Sequence, residues 1–140
     1  MPQPSFTSGT TTNEGFTLHF TTIIPSTEEH IKKPLLLFVP GGSGHSTQFL
    51  DMMPYLTTKF QPASFSRRQH GLSNPLPGTP YAMLNPAQQA RDILAVASAL
   101  GFSSEKIYLF TSSSGGIFGL QLAATHPHRI AHLIAPAPGA

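Results

Sequence analysis

The chain has 140 residues, the length of one ordinary domain, and 8 Lys and Arg against 6 Asp and Glu give a formal net charge of +2. No apolar run approaches the roughly 18 residues that cross a bilayer, and residues 1–12 lack the basic start and apolar stretch of a secretory signal. The absence of Cys excludes disulfides and thiolate chemistry. The basic pairs Lys32-Lys33 and Arg67-Arg68 are too sparse for a nucleic-acid interface. We therefore expect a cytoplasmic protein with no nucleic-acid partner and no membrane association.

The N-terminal half predicts a lead-in, two strands and a helix. Residues 1–15 begin with a Pro- and Thr-rich stretch and are expected to form a loose lead-in. Apolar residues alternate over residues 16–24, which predicts a half-buried strand, and the fully apolar run 35–39 predicts a central parallel strand. Helical apolar spacing predicts a helix over residues 48–60, and residues 62–65 form a weaker strand candidate.

The C-terminal half contains the clearest helix. Asn85 is a good N-cap, Pro86 suits the first helical position, and Gly101 is a natural stop. The segments that follow predict a buried strand, a tight turn, a helix and a last strand: 107–110, 112–116, 117–125 and 129–135. The alternation of strands and helices predicts an α/β fold with a mostly parallel sheet, flanking helices and right-handed crossovers.

Two joints where a strand meets a helix are rich in small residues: 41–44 and 111–116. Ligands of open α/β sheets bind at such joints. Neither joint has the Lys of a phosphate-binding loop, and the Gly-x-Gly begun at Gly42 is not completed by a third Gly because Thr47 stands there. We therefore expect no nucleotide cofactor. Backbone N–H groups at these joints could bind an anion, or the small residues could serve close packing alone.

The second joint also suits a catalytic serine. A serine hydroxyl must be held clear of the sheet, beside a base and beside N–H donors for the developing oxyanion. A sharp strand-to-helix turn achieves this when residues two positions to either side are small. For Ser113 these residues are Thr111 and Gly115, directly after the apolar strand, whereas Ser114 would leave an extra residue between strand and turn. Ser113 is therefore the predicted nucleophile.

Several segments in register resemble the α/β-hydrolase superfamily, from about Leu35 to Ile134. Residues 35–44 are similar to the strand and Gly-Gly of the family's oxyanion loop. Residues 65–73 (FSRRQHGLS) resemble its aromatic-Asp-Arg-Arg-Gly-x-Gly-x-Ser segment. The helix before the Ser-Ser-Ser-Gly-Gly turn and the helix after it follow in the family's order and spacing. The resemblance implies that residues 1–140 form a partial α/β-hydrolase domain, apparently truncated after the strand that follows the nucleophile helix.

Carried over to this chain, the resemblance implies Ser113 as nucleophile and the backbone N–H groups of Ser114 and Gly42 as oxyanion donors. The implied substrate is an ester, an amide or a similar small acyl compound, with no cofactor and no metal. Three positions depart from the family's pattern. Thr111 stands where Gly is usual and is expected to crowd the turn, and Ser66 and Gln69 replace an Asp and a Gly.

The remainder of a catalytic triad is missing. The family's order along the chain is serine, acid, histidine, yet no Asp or Glu follows Ser113. The three later histidines are expected at the surface, and their spacing does not suit zinc: His126, His128 and His132. His45 and His70 lie in loops on the catalytic side of the sheet and are candidates for a non-standard base.

Two hypotheses follow. The first is a serine hydrolase represented by a truncated or partial chain that lacks the triad acid and histidine. The second is a catalytically inactive α/β module that binds an anion or a protein partner through the two joints. In either case a sheet that ends at residues 130–134 exposes an apolar edge strand, through which two copies could associate.

Overall fold

A computed structural model describes residues 5–24, 32–41, 49–68, 72–78 and 85–136. Its strands and α-helices in chain order are β1 Phe6–Asn13, β2 Phe16–Ile23, β3 Leu35–Val39, β4 Gln61–Phe65, α1 Pro86–Ala99, β5 Ile107–Thr111, α2 Gly115–Thr125 and β6 Ile130–Ile134. The described strands form one sheet in the spatial order β1-β2-β4-β3-β5-β6. None of the described helices is long and apolar enough to cross a membrane.

The centre of the sheet is parallel. β3 pairs with β4 and β5, and β5 pairs with β6, all in parallel, whereas β2 is antiparallel to both β1 and β4. The apolar runs of β3 and β5 suit this position because a central parallel strand is covered on both faces. The expected mostly parallel α/β sheet with flanking helices is confirmed. β6 lies at one edge of the sheet within the described part of the chain.

The sheet is covered on both faces by apolar side chains. Helices α1 and α2 pack against each other and against the sheet. Their side of the core includes Leu18, Leu37, Ile93, Leu109 and Leu122. A smaller cluster on the other side contains Ile23, Phe38, Phe49 and Met53. Both faces of the central strands are thus removed from water, which fixes the ends of β3 and β5 relative to each other.

The expectation of a loose lead-in over residues 1–15 is wrong for its described part. Residues 6–13 form β1, which pairs with β2 along its whole length. The three consecutive Thr residues of 10–12 favour a strand because β-branched side chains fit a pleated surface. Glu14 and Gly15 have φ values of 44° and 82°, the left-handed pair that a two-residue hairpin turn requires.

The helix predicted over residues 48–60 is also wrong in its described part. Residues 50–59 form turns on either side of a short 3-10 helix at Met53–Leu56. Pro54 explains the difference, since it lacks an N–H and disfavours helical backbone in the residue before it. Phe49 and Met53 are nevertheless buried, so the apolar spacing predicted which of these side chains face the core.

The remaining predicted elements are confirmed with small shifts at their ends. Asn85 Oδ1 accepts a hydrogen bond from Gln88 N at 2.8 Å and caps α1, and Gly101 follows the helix with φ of 96°. Helix α2 begins at Gly115, two residues earlier than its apolar pattern indicates. The turn between β5 and α2 is correspondingly short, and Ser113 lies within it.

Candidate active site

The turn between β5 and α2 has a strained backbone at the predicted nucleophile. Ser113 has φ of 50°, and it shares the left-handed region with only one other non-glycine residue among those described, Glu14. Such a backbone costs an L-residue about 1–2 kcal/mol relative to a right-handed one. Ser114 returns at once to right-handed helical angles as the N-cap of α2. The chain therefore reverses within one residue, as a nucleophile turn requires.

Hydrogen bonds from the neighbouring strand and within the turn keep this geometry. Ser112 N donates to Val39 O at 3.0 Å, which ties the turn to the end of β3. Gly115 N donates to Ser112 O at 2.9 Å and Gly116 N donates to Ser113 O at 3.0 Å. These bonds surround the strained residue on both sides, so the rest of the fold enforces its conformation.

Gly115 is required by the close approach of β3. A Cβ at this position would lie 2.7 Å from Pro40 O and 2.8 Å from Val39 O, which are backbone atoms that cannot swing away. The small residue two positions after Ser113 therefore lets the first turn of α2 rest on the end of β3.

Thr111 occupies the other small-residue position without disturbing the turn. Its side chain is fully buried, and its Oγ1 donates to Ile134 O at 3.4 Å. A Cβ on Gly119 would lie 2.8 Å from Thr111 Cγ2, so the glycine on α2 makes room for the threonine methyl. The crowding expected from a β-branched residue is absorbed by the facing helix.

The chain leaving β3 passes directly against the Ser113 turn. A Cβ on Gly41 would lie 2.6 Å from Ser112 O and 3.1 Å from Ser113 Cβ. The structure thus brings Gly41 and Ser113 together, as the two predicted joints require. The predicted oxyanion donor Gly42 and the candidate bases His45 and His70 lie outside the described residues.

Ser114 lies at the N-terminus of α2. The first N–H groups of a helix have no intrahelical acceptor and carry a partial positive charge. A backbone donor at this position is suited to a developing oxyanion beside Ser113.

Arg67 is a site neighbour that the sequence analysis did not single out as functional. It is 4% exposed, and its Nη2 donates to Gly41 O at 2.6 Å. Its guanidinium Cζ lies 4.9 Å from the centre of the Phe118 ring on α2. Burial lowers the pKa of Arg67. The available signal was its place in the segment 65–73, two residues after the end of the buried strand β4.

The described carboxylates with ion-pair partners are structural. Asp92 on α1 is fully buried and accepts from Arg68 Nε at 2.6 Å, from Arg68 Nη2 at 2.9 Å and from Asn13 Nδ2 at 2.8 Å. The other two described pairs are more exposed: Glu14 with Arg91, and Glu105 with Lys32. The hydrogen bond from Arg91 holds the pKa of Glu14 below its ordinary value.

The three late histidines lie at or near the surface, as expected. His126 is half-buried with Nδ1 at 2.8 Å from Thr125 Oγ1, and His128 is exposed. His132 is exposed on β6 and stacks on Tyr108, with 5.3 Å between ring centres. Within the described ranges, no group of three or more His, Asp or Glu side chains could hold a metal ion.

Comparisons with known proteins identify the family of the fold. The family model described as "alpha/beta hydrolase fold" matches residues 34–138. The uncharacterized hydrolase YraK of Bacillus subtilis (strain 168) is 29% identical over 106 residues, covering 74% of this chain and 36% of that protein. A hydrolase structure from Pseudomonas aeruginosa PA01 superposes with a TM-score of 0.74 at 26% identity, over 90% of this chain and 44% of that one.

A more distant solved structure has the same fold. The enol-lactonase from Burkholderia xenovorans LB400 has a TM-score of 0.74 at 22% identity, over 89% of this chain and 45% of its own. The chain therefore spans less than half the length of each of these three proteins.

Proposed function

Because the chain belongs to the α/β-hydrolase fold family, we propose that it is the nucleophile-bearing part of a serine hydrolase that acts on an ester, an amide or a similar acyl substrate. One observation carries the proposal: the left-handed backbone of Ser113, with φ of 50°, between the central strand β5 and helix α2. A strained non-glycine residue persists only where its surroundings enforce it, and such residues cluster at active sites.

In the proposed reaction Ser113 Oγ attacks the acyl carbon while a base takes the hydroxyl proton. The carbonyl oxygen becomes an oxyanion that accepts hydrogen bonds from the backbone N–H groups of Ser114 and Gly42. Collapse expels the alcohol or amine with a proton from the conjugate acid of the base, and water then hydrolyses the acyl-serine by the same steps. Each oxyanion donor would contribute on the order of 10²–10³ in kcat.

We infer that the triad acid and histidine belong to a part of the fold that these 140 residues do not include. No Asp or Glu follows Ser113, and the buried Asp92 is occupied by Arg68 and Asn13. The chain corresponds to 36% of the length of YraK, which leaves ample room in such a protein for both groups.

Covalent labelling with a fluorophosphonate probe tests the nucleophile. The 140-residue chain is compared with the same chain extended by any coding sequence that follows in frame. Labelling of the extended chain is expected at Ser113 and should disappear in Ser113→Ala. Ser114→Ala is the matched control and should label normally, since only its backbone N–H is used. Labelling that survives Ser113→Ala contradicts the proposal.

The same assay separates the other hypotheses. Labelling of the 140-residue chain itself, lost in either His45→Ala or His70→Ala, identifies a non-standard base. A folded chain that labels in neither form indicates an inactive binding module instead.

A further inference from the structure

Arg67 carries a buried positive charge with no carboxylate partner among the described residues. Three of the four described Asp and Glu residues have an arginine or lysine partner, and in no case is that partner Arg67. Its Nε has no hydrogen-bond partner within the described part of the chain. The side chain is 4% exposed, and burial lowers its pKa. Burying a charge without a counter-ion is unfavourable, so packing stability alone does not explain Arg67.

The contacts that Arg67 does make join the two sides of the proposed site. Nη2 donates to Gly41 O at 2.6 Å, on the segment that leaves β3. The guanidinium also lies over the ring of Phe118, on the helix that begins two residues after Ser113. Gly41 itself is in close contact with the backbone of Ser112 and with Ser113 Cβ. Arg67 therefore contacts both segments that flank the Ser113 turn: it donates a charge-assisted hydrogen bond to Gly41 and lies over Phe118 of α2.

Holding a carbonyl oxygen also orients the peptide to which it belongs. A peptide bond is planar and almost always trans, so its C=O and its N–H point in opposite directions. The N–H of the peptide whose oxygen is Gly41 O belongs to residue 42, the donor that the proposed mechanism uses. A cationic donor on the oxygen also polarises the peptide and strengthens its N–H as a donor.

We propose that Arg67 is a positioning residue: by holding the Gly41 carbonyl oxygen against the Ser113 turn, it fixes the peptide group whose N–H the proposed mechanism uses. The inference rests on the proposed serine-hydrolase function. Arg67 acts through the Gly41 peptide and does not itself contact the substrate.

Three variants test this role in the extended chain used for labelling: Arg67→Met, Arg67→Lys and the control Arg91→Met. Arg67→Met keeps much of the side-chain volume but removes the donor, and Arg67→Lys restores a cationic donor. Arg91 is exposed and pairs with Glu14 away from the turn. The probe substrate is p-nitrophenyl butyrate, assayed for turnover that depends on Ser113.

Arg67→Met is expected to lower kcat by about 10–100-fold with little change in KM. An oxyanion donor displaced by about 1 Å weakens a hydrogen bond that is made mainly in the transition state. Arg67→Lys should recover part of kcat. Amide hydrogen exchange of the peptide covering residues 40–48 should be faster in Arg67→Met and unchanged in Arg91→Met.

A variant of Arg67 that keeps wild-type kcat, or that raises KM alone, overturns the positioning role. Unchanged exchange over residues 40–48 overturns it as well, independently of any activity. If wild-type turnover does not depend on Ser113, the serine-hydrolase proposal fails and the catalytic role of Arg67 fails with it, while the exchange measurement still decides whether Arg67 holds this segment.

Discussion

Buried polar groups are paired on the α1 side of the sheet, whereas the region of the Ser113 turn differs in pairing and in backbone strain. Beside α1, the Arg68 guanidinium meets both oxygens of Asp92, and Ser73 Oγ donates to Ser66 O at 2.6 Å while accepting from His19 N at 2.8 Å. On the other side, Arg67, the sequence neighbour of Arg68, has no carboxylate partner within the described ranges, and Ser113 has a left-handed backbone.

The difference separates what stabilises the fold from what prepares the site. A buried ion pair with its hydrogen bonds made is a structural unit, and removing one partner leaves an uncompensated charge. A strained serine backbone, and a buried arginine for which the described residues supply no carboxylate, lower stability, which native proteins accept chiefly where function requires it. The two adjacent arginines of one segment therefore have different roles, and substitutions should separate them.

The largest effect is expected on the α1 side. Asp92→Asn leaves the Arg68 charge buried without its partner and should lower the free energy of unfolding by about 3–5 kcal/mol. Urea denaturation followed by circular dichroism measures the change. Asp51→Asn, at an exposed aspartate, is the control and should be nearly neutral. Equal stability of the two variants would show that the Arg68–Asp92 pair is not a structural unit.

Crowding at the turn comes next. Gly115→Ala places a Cβ 2.7 Å from Pro40 O and should lower stability by about 1–3 kcal/mol, despite the better helix propensity of Ala. The same denaturation experiment measures it. Gly78→Ala gives the cost of backbone strain alone: its Cβ would meet open space, but the left-handed φ of 83° should itself cost about 1–2 kcal/mol. A neutral Gly115→Ala would mean that β3 and α2 can move apart at the site.

Relieving the backbone strain at Ser113 should raise the free energy of unfolding, in contrast to the two preceding substitutions. Ser113→Gly removes the penalty of the left-handed backbone and should raise the free energy of unfolding by about 1 kcal/mol while abolishing probe labelling. Ser114→Gly is the control: at φ of −61° glycine relieves no strain and should destabilise the chain. A Ser113→Gly protein less stable than wild type would contradict strain at this residue.

The smallest effect concerns the exposed pair Glu14–Arg91. Arg91 holds the pKa of Glu14 below its ordinary value, so the stabilisation is present above that value and is lost as pH falls through the lowered pKa. Wild type should have a slightly higher Tm than Glu14→Gln at about pH 7, and the two should converge at about pH 3. Melting curves across this pH range measure the difference in Tm. A difference that grows as the pH falls would contradict a stabilising Glu14–Arg91 pair.

Much of the fold was predictable from local patterns. The apolar runs of β3 and β5 and the capped helix α1 have strong local signals, and the small residues after β5 predicted the sharp turn at Ser113. Two local readings failed for identifiable reasons. The Thr-rich stretch of β1 has no apolar alternation of its own and becomes a strand because β2 is available to pair with it. Pro54 interrupts a segment whose apolar spacing is otherwise helical.

By itself, the sequence determined the alternation of strands and helices, the family resemblance and the position of the small-residue turn that contains Ser113, because these depend on residue type and spacing along the chain. Only the tertiary structure decided that Arg68 pairs with Asp92, how Gly119 accommodates Thr111, and that Gly41 lies against Ser113. These facts depend on distances between segments far apart in sequence. The packing of α1, α2 and β3 against β5 fixes those distances, and they cannot be predicted from local sequence patterns.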